Sequence, residues 1–488
     1  MDYKTIGHNH ANTVIDMIQA FFPNEKYKEL SAGETSPRFL ESRYENGLAS
    51  ARFFVNSCIE REAEYICDDG DIVYAIKHSI YKLWESEQGL PWGILTGIRP
   101  AKIASGLMEE GMNNAKIVLF MQERFMVSPE RATLCAKVAR AEQKLLEKGS
   151  DKGYSLYIGI PFCPSKCLYC SFTSYPIDKY SDAVESYIDA VKKELDYVAR
   201  HFAGCAPDTI YIGGGTPTSL DDEAFVKLLR YVKETFDLSK VKEYTVEAGR
   251  PDTITEAKLD IMQNHGVGRI SINTQSINDK TLKRIGRAHS ADEFITSYEL
   301  ARKKGFEHIN IDLILGLPDE SEADVENTFK AVTALNPDEI TVHTLAVKRA
   351  SRLKEELPET SLTEAVQMER FLNISKEYMG THGFKPYYMY RQKNSLGNFE
   401  NVGYAKEGFG CLYNVQIMEE SCTIIAVGAG AISKFVNGES GRIERAFNVR
   451  DVAEYVARVD EMVSRKGAAW RKVFDLDNTA MYDDEHRK

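Results

Sequence analysis

From about residue 154 onward, short apolar runs recur roughly every 30 to 35 residues, each followed by a longer segment with helical spacing, the signature of repeated strand–helix units. The pattern predicts strands at 155–160, 208–212, 244–247, 269–273, 308–313 and 339–345, with helices at 181–202, 221–236, 255–265, 291–304 and 323–335. Asp221 and Asp222 stand where a helix N-cap is wanted, and Gly266 and Gly305 where a C-cap wants positive φ. Six such units in a row predict an α/β fold with a parallel sheet curling into a partial (βα)6 TIM-like barrel, its chemistry at the C-terminal ends of the strands. A further apolar run at 423–427 extends or closes the sheet.

The first 150 residues lack this rhythm and read as a separate α+β domain. Runs at 51–58 and 64–67 suggest a hairpin, 71–84 a strand running into or replaced by a helix, and 101–108, 113–125 and 129–148 helices. Gly149, Ser150 and Gly153 mark a polar linker at 147–153. The expected organisation is an accessory domain over 1–150, a core over 151–350 and an extension over 351–488 that completes the sheet and covers the active site.

Composition narrows the classes. A chain of 488 residues has room for a large catalytic domain and a smaller one. A net charge of −12 argues against a protein built to grip nucleic acid. No apolar run approaches the roughly 18 residues of a membrane span. The N-terminus lacks the basic start and apolar stretch of a signal peptide, which predicts a cytoplasmic protein. Nine cysteines then read as reduced thiols, and six of them, Cys58, Cys67, Cys135, Cys205, Cys411 and Cys422, have no ligand-like spacing.

The other three form Cys163-x3-Cys167-x2-Cys170 directly after the first barrel strand. Three thiolates ligate three irons of a [4Fe–4S] cubane and leave the fourth open to the amino and carboxylate groups of S-adenosylmethionine. The rival, structural zinc, wants four ligands and C-x2-C pairs. One strand further on, Gly213-Gly214-Gly215-Thr216-Pro217 lets a ligand approach the backbone closely. Glu247, Gln275 and Asp312 stand at later strand ends, with Arg287 just beyond one. A carboxylate there suits a ribose diol or an ammonium, and an arginine fork suits a carboxylate.

Taken in order, Tyr157-Ile-Gly-Ile-Pro-Phe-Cys163, CLYC, GGGTPT, the Glu247 segment, INTQS, GRAHS and NIDLILGLP resemble the family of oxygen-independent coproporphyrinogen III oxidases and their relatives, from Tyr154 to the mid-400s. LTGIRPAK (Leu95–Lys102), EAGRPDT (Glu247–Thr253) and YRQKN (Tyr390–Asn394) resemble its HemZ-type coproporphyrinogen dehydrogenase subgroup. The resemblance implies radical oxidative decarboxylation of two propionates to vinyl groups, giving protoporphyrinogen IX in haem biosynthesis. It implies a tetrapyrrole substrate and an electron donor such as flavodoxin or ferredoxin. By matched positions, Tyr157, Gly214, Glu247 and Ile432 contact the S-adenosylmethionine on the cluster. Tyr169, Gly215, Thr216, Gln275, Arg287, Asp312 and Ala346 match positions that bind a second molecule.

Three departures qualify this. Gly159 stands where the better-known oxidases have histidine, Phe172 where they have a further cysteine, and with about 55 residues after Ile432 their C-terminal helical domain is not expected. The four carboxylates of the implied substrate suggest basic partners, and Arg250, Arg391 and Lys393 are the candidates. Two other functions stay open: a haem chaperone with the same motifs, which Phe172 suits, and a radical enzyme that methylates or opens a tetrapyrrole.

Overall fold

The computed structural model describes residues 1–474 apart from 24, 32, 88, 151–152, 203–204, 347–350, 354–362 and 393–398. They form two compact units, Met1–Arg140 with Tyr390–Glu400, and Ala141–Met389 with Asn401–Lys488.

In the first unit, strands β1 (Asp2–Ile6), β2 (Lys28–Glu29), β3 (Arg38–Glu45), β4 (Leu48–Val55) and β5 (Cys58–Ile66) form a sheet of order β2-β1-β3-β4-β5. Asn46-Gly47 and Asn56-Ser57 all take positive φ in the two-residue turns that join β3 to β4 and β4 to β5. That backbone matches the twist of a hairpin. The expected hairpin is therefore shifted: its turn is Asn56-Ser57, and the polar stretch after Cys58 is strand. Polarity misleads there because β5 is solvent-facing along most of its length. Residues 71–84 resolve as a helix, Ile72–Lys82, with the Asp71 carboxylate capping Tyr74 N. This helix and Ala11–Phe21 bring Met17, Ile18, Phe21, Ile76 and Ile80 into one core with Leu40, Phe53 and Trp84.

The second unit is built on one eleven-stranded sheet. Its strands are β6 (Tyr154–Ile160), β9 (Pro207–Gly214), β10 (Glu243–Glu247), β11 (Arg269–Ser271), β12 (His308–Leu315), β13 (Glu339–Thr344), β14 (Lys385–Arg391), β15 (Glu400–Ala405), β16 (Ile424–Val427), β17 (Ile432–Val436) and β18 (Ile443–Phe447). Two short strands, β7 (Phe162–Cys163) and β8 (Tyr175–Pro176), pair separately. The order β14-β15-β13-β12-β11-β10-β9-β6-β16-β17-β18 contains the six expected parallel strands side by side, and the sheet stays open. β16, the expected seventh apolar run, pairs parallel to β6, whereas β15 runs antiparallel to β13.

The parallel strands read as continuous apolar runs because both faces are covered, and Ile158, Ile212, Val246, Ile270, Ile311 and Ile340 are wholly buried. Helix Asp222–Thr235 lays Phe225, Leu228, Leu229 and Val232 on the sheet, each contributing about 1.5–3 kcal/mol by burial. Asp221 caps it as expected, and Gly266 and Gly305 take positive φ. Ser290 with Glu293 and Ser321 with Asp324 form capping boxes that start the next helices at fixed points. Such definite starts fix the loops between strand and helix, where the site residues stand.

Candidate functional site

β6 ends at Ile160, and β7 carries the chain straight into the cysteine loop. The loop is held from both sides. Tyr175 N donates to Pro161 O at 2.8 Å, Leu168 N to Ile285 O at 2.9 Å, and Cys170 N to Cys167 O at 3.1 Å. Cys163 Sγ lies 3.5 Å from Thr216 Oγ1. Burial pushes the Cys163 thiol up to about 11, so a thiolate there needs a neighbouring cation to exist at neutral pH. Among the described residues no three Cys, His, Asp or Glu side chains converge on one ion position, as a zinc site requires. A cubane instead spreads its thiolates over separate irons.

Beside the loop, the glycines after β9 are there for space. A Cβ on Gly213 would lie 2.6 Å from Glu247 Cδ, and one on Gly215 would lie 2.5 Å from Phe162 O. Gly214 has φ +108° and donates its N–H to Glu247 Oε2 at 3.1 Å. Tyr211 Oη donates to Glu247 Oε1 at 2.7 Å and stacks 4.4 Å from Tyr413, with Tyr157 stacked 6.2 Å from Tyr211. Burial pushes the Glu247 carboxyl up to about 7 against these hydrogen bonds, and among the described residues no lysine or arginine acts on it.

Asp312 is held differently. It accepts from Asn273 Nδ2 at 2.8 Å and Asn310 Nδ2 at 2.7 Å, and His343 Nε2 lies 3.8 Å away. Burial works to raise its carboxyl, but the contacts with His343, Asn310 and Thr341 outweigh that and keep it below its ordinary value. Gln275 bridges to β12 with φ +72°, a left-handed backbone that costs a non-glycine residue about 1–2 kcal/mol. Its side-chain Oε1 is buried without a partner. Arg287 is buried, donating to Gly249 O at 3.1 Å, Asn273 O at 2.9 Å and Tyr169 Oη at 3.0 Å, while its Nε is unpartnered.

The structure thus joins Tyr157, Gly214 and Glu247 through one set of contacts, and Tyr169, Arg287, Asn273 and Asp312 through another. Thr216 is buried beside Cys163, Ala346 is half-buried just past β13, and Ile432 is 43% exposed at the start of β17. Gly159 lies where a Cβ would meet Val427 O at 3.3 Å, because β16 closes on β6 there, so a histidine would need that pairing to give. Phe172 is 66% exposed.

Two expected substrate contacts change place. Arg250 is buried, its fork closed on Asp252 through Nε–Oδ1 and Nη2–Oδ2 contacts of 2.9 Å each, so the edge that a propionate would bridge is taken. Arg391 is also buried, with Nη1 donating to Leu95 O and Gly97 O, its backbone N to Ile98 O, and its guanidinium over Trp92. It holds the LTGIRP segment within the first unit, where burial lowers its pKa to about 10. Lys393 lies outside the described residues. Sequence reasoning missed Tyr211, Asn273, Asn310 and His343. Strand alternation was the available signal for one of them, since Asn310 lies two before the expected Asp312 on β12 and so shares its face.

An anionic carboxylate without a protein cation, an orphaned amide oxygen and a backbone cleared of Cβ atoms together fit a ligand that brings its own cationic and donor groups. S-adenosylmethionine does so with its sulfonium and ammonium.

Comparison with known proteins agrees with this geometry. Residues 157–332 match the model of the Radical SAM superfamily. The chain is 36% identical over 432 residues to the oxygen-independent coproporphyrinogen-III oxidase-like protein HemZ of Bacillus subtilis, covering 87% of this chain and 85% of that protein. It is 30% identical to the heme chaperone HemW of the same organism, over 68% of this chain and 81% of that one. Among solved structures, coproporphyrinogen III oxidase (HemN) from Escherichia coli, described as a radical SAM enzyme, superposes with a TM-score of 0.54 at 24% identity, over 67% of this chain and 73% of that one.

Proposed function

The chain belongs to the radical SAM family of oxygen-independent coproporphyrinogen-III oxidase-like proteins, and from that premise we propose that it is a coproporphyrinogen III dehydrogenase. Each of two propionates would lose a β-hydrogen, carbon dioxide and one further electron to become a vinyl group, giving protoporphyrinogen IX. The observation that carries the reading is the reach of the likeness to the oxidase-like relative, which at 87% of the chain extends well beyond the 68% shared with the chaperone.

Proteins of this family use a [4Fe–4S] cluster and S-adenosylmethionine, which when bound supply one-electron cleavage of a sulfonium and abstraction of a hydrogen. Cys163, Cys167 and Cys170 would hold the cluster. Glu247, fixed by Tyr211 and Gly214, would hold the ammonium of the first S-adenosylmethionine, with Tyr157 and Ile432 along it. Gln275, Asp312 and Arg287 would serve a second molecule through an amide, a carboxylate and a guanidinium, with Tyr169, Gly215, Thr216 and Ala346 beside them. An electron donor of the flavodoxin or ferredoxin kind would supply the electron for each sulfonium cleavage, and the electron released with carbon dioxide would pass to an acceptor.

The test is anaerobic reconstitution followed by product analysis with coproporphyrinogen III, dithionite and S-adenosylmethionine. Carbon dioxide, 5′-deoxyadenosine and protoporphyrinogen IX are expected together. Stable haem binding without vinyl product would overturn the dehydrogenase in favour of a chaperone, and S-adenosylhomocysteine among the products would indicate methyl transfer.

A further inference from the structure

Arg250 was expected at the substrate, yet its free edge faces sulfur. With Nε and Nη2 spent on Asp252, the remaining Nη1 lies 3.6 Å from Cys167 Sγ, 3.3 Å from Ser165 Oγ and 3.5 Å from Ser165 O. Both Arg250 and Cys167 are buried, at 3% and 8% exposure, so the contact is shielded from water and salt. Asp252, on the turn Pro251–Thr253 that follows β10, fixes the guanidinium plane. Ser165 Oγ in turn donates to Gly286 O at 3.3 Å. The arginine thus ties the tip of the cysteine loop to the strand end that carries Glu247.

We propose that Arg250 is a positioning and tuning residue for the cluster, its guanidinium donating to the Cys167 thiolate and Asp252 setting how much of its charge the cluster feels. A hydrogen-bond donor and a positive charge beside a ligating sulfur stabilise the more negative, reduced state, and such contacts are a main lever on cluster potential. Asp252 is the counterweight: its carboxylate holds the Nε–Nη2 edge, leaves Nη1 to the sulfur and partly cancels the guanidinium. The inference stands apart from the identity of the substrate, because it concerns only the arginine, the aspartate and the cysteine loop.

The two partners therefore make opposite predictions, which a merely structural role does not. Purified, anaerobically reconstituted Arg250→Gln, Arg250→Lys and Asp252→Asn proteins are to be compared with the parent by iron and sulfide content, by the EPR signal of the reduced cluster, and by redox titration without substrate. Arg250→Gln should make reduction about tenfold less favourable, a fall of about 59 mV for one electron. Asp252→Asn should move the potential the other way, and Arg250→Lys should fall between parent and glutamine variant. Equal potentials in parent and both Arg250 variants at full iron content would overturn the proposal. So would a fall in potential for Asp252→Asn. Should Arg250→Gln fail to hold iron, the sign of the Asp252→Asn shift decides alone.

Discussion

The two ends of the same barrel strands carry matched sets of polar residues put to different use. Four positions apart along β10, β11 with the two residues after it, β12 and β13 stand Glu243 and Glu247, Arg269 and Asn273, His308 and Asp312, and Glu339 and His343. At the N-terminal end the charges answer one another. Arg269 pairs with Glu339 and lies 3.5 Å from Glu243, while Glu243 also accepts from Leu412 N at 2.9 Å and Tyr413 N at 3.1 Å. A cavity of about 330 Å³ opens there, lined by Glu243, Arg269 and His308, but its charges are already paired within the protein. At the C-terminal end, among the described residues, Glu247 has no cation and Gln275 Oε1 no partner. One end balances its own charge, whereas the other is left to be completed by a ligand, and the volume of a hole does not tell them apart.

Removing what the open end must hold should have the largest effect. Cys167→Ala should abolish both iron retention and 5′-deoxyadenosine formation, measured by iron content and by chromatography of the products, with thermal stability of the apoprotein lowered far less. At the closed end Arg269→Met leaves the buried Glu339 and the half-buried Glu243 without their cation and should cost about 3–5 kcal/mol of stability, seen as a lower denaturant midpoint. If that variant unfolds at the parent's midpoint, the contrast between the ends is broken.

Glu247→Gln should do the reverse of Arg269→Met. It should leave stability near neutral pH unchanged or higher, and weaken S-adenosylmethionine binding by roughly 10- to 100-fold, the worth of a charge-assisted hydrogen bond of about 1.5–3 kcal/mol. Calorimetric titration of the reconstituted protein checks this. The smallest effect is a slope. Because burial and nearby Asp312 raise the Glu247 pKa to about 7 in the folded state, its contribution to stability is fully present below the unfolded value near 4.5 and is lost as pH rises through about 7. The ligand-free parent should therefore lose stability relative to Glu247→Gln between pH 5 and 8, while its affinity for the cationic ligand rises over the same range. Parallel stability curves for the two proteins would remove the uncompensated carboxylate from the account.

The barrel was legible because buried parallel strands and amphipathic helices write their period locally; the expected and observed strands agree within a few residues. The strand pattern places Glu247 at the end of β10 and the three cysteines after β6, while Asp312 stands inside β12, which runs three residues beyond it. Arg250 and Arg391 were not legible. A guanidinium looks the same in sequence whether it faces a solvent-borne carboxylate or a buried partner, and the partners that fix these two are a neighbouring aspartate with a distant sulfur, and the carbonyls of residues 95 and 97. β14 lies outside the expected strands: Tyr387, Tyr388, Met389 and Arg391 are all buried, so the segment lacks the alternation that would mark an edge strand.

The excursion of residues 390–400 into the first unit also bears on how the protein is made. Glu400 accepts from Trp92 Nε1 at 3.0 Å and pairs with Arg131 at 3.1 Å, so until residue 400 exists the amino-terminal unit lacks the buried carboxylate that both groups hold. At roughly 5–20 residues per second, a ribosome that has finished residue 140 needs on the order of ten seconds or more to reach it. Over that interval the nascent chain carries an unfinished first unit. Its last contacts are made after the barrel's parallel strands have been synthesised, which binds the two units into one schedule of assembly although each has its own core.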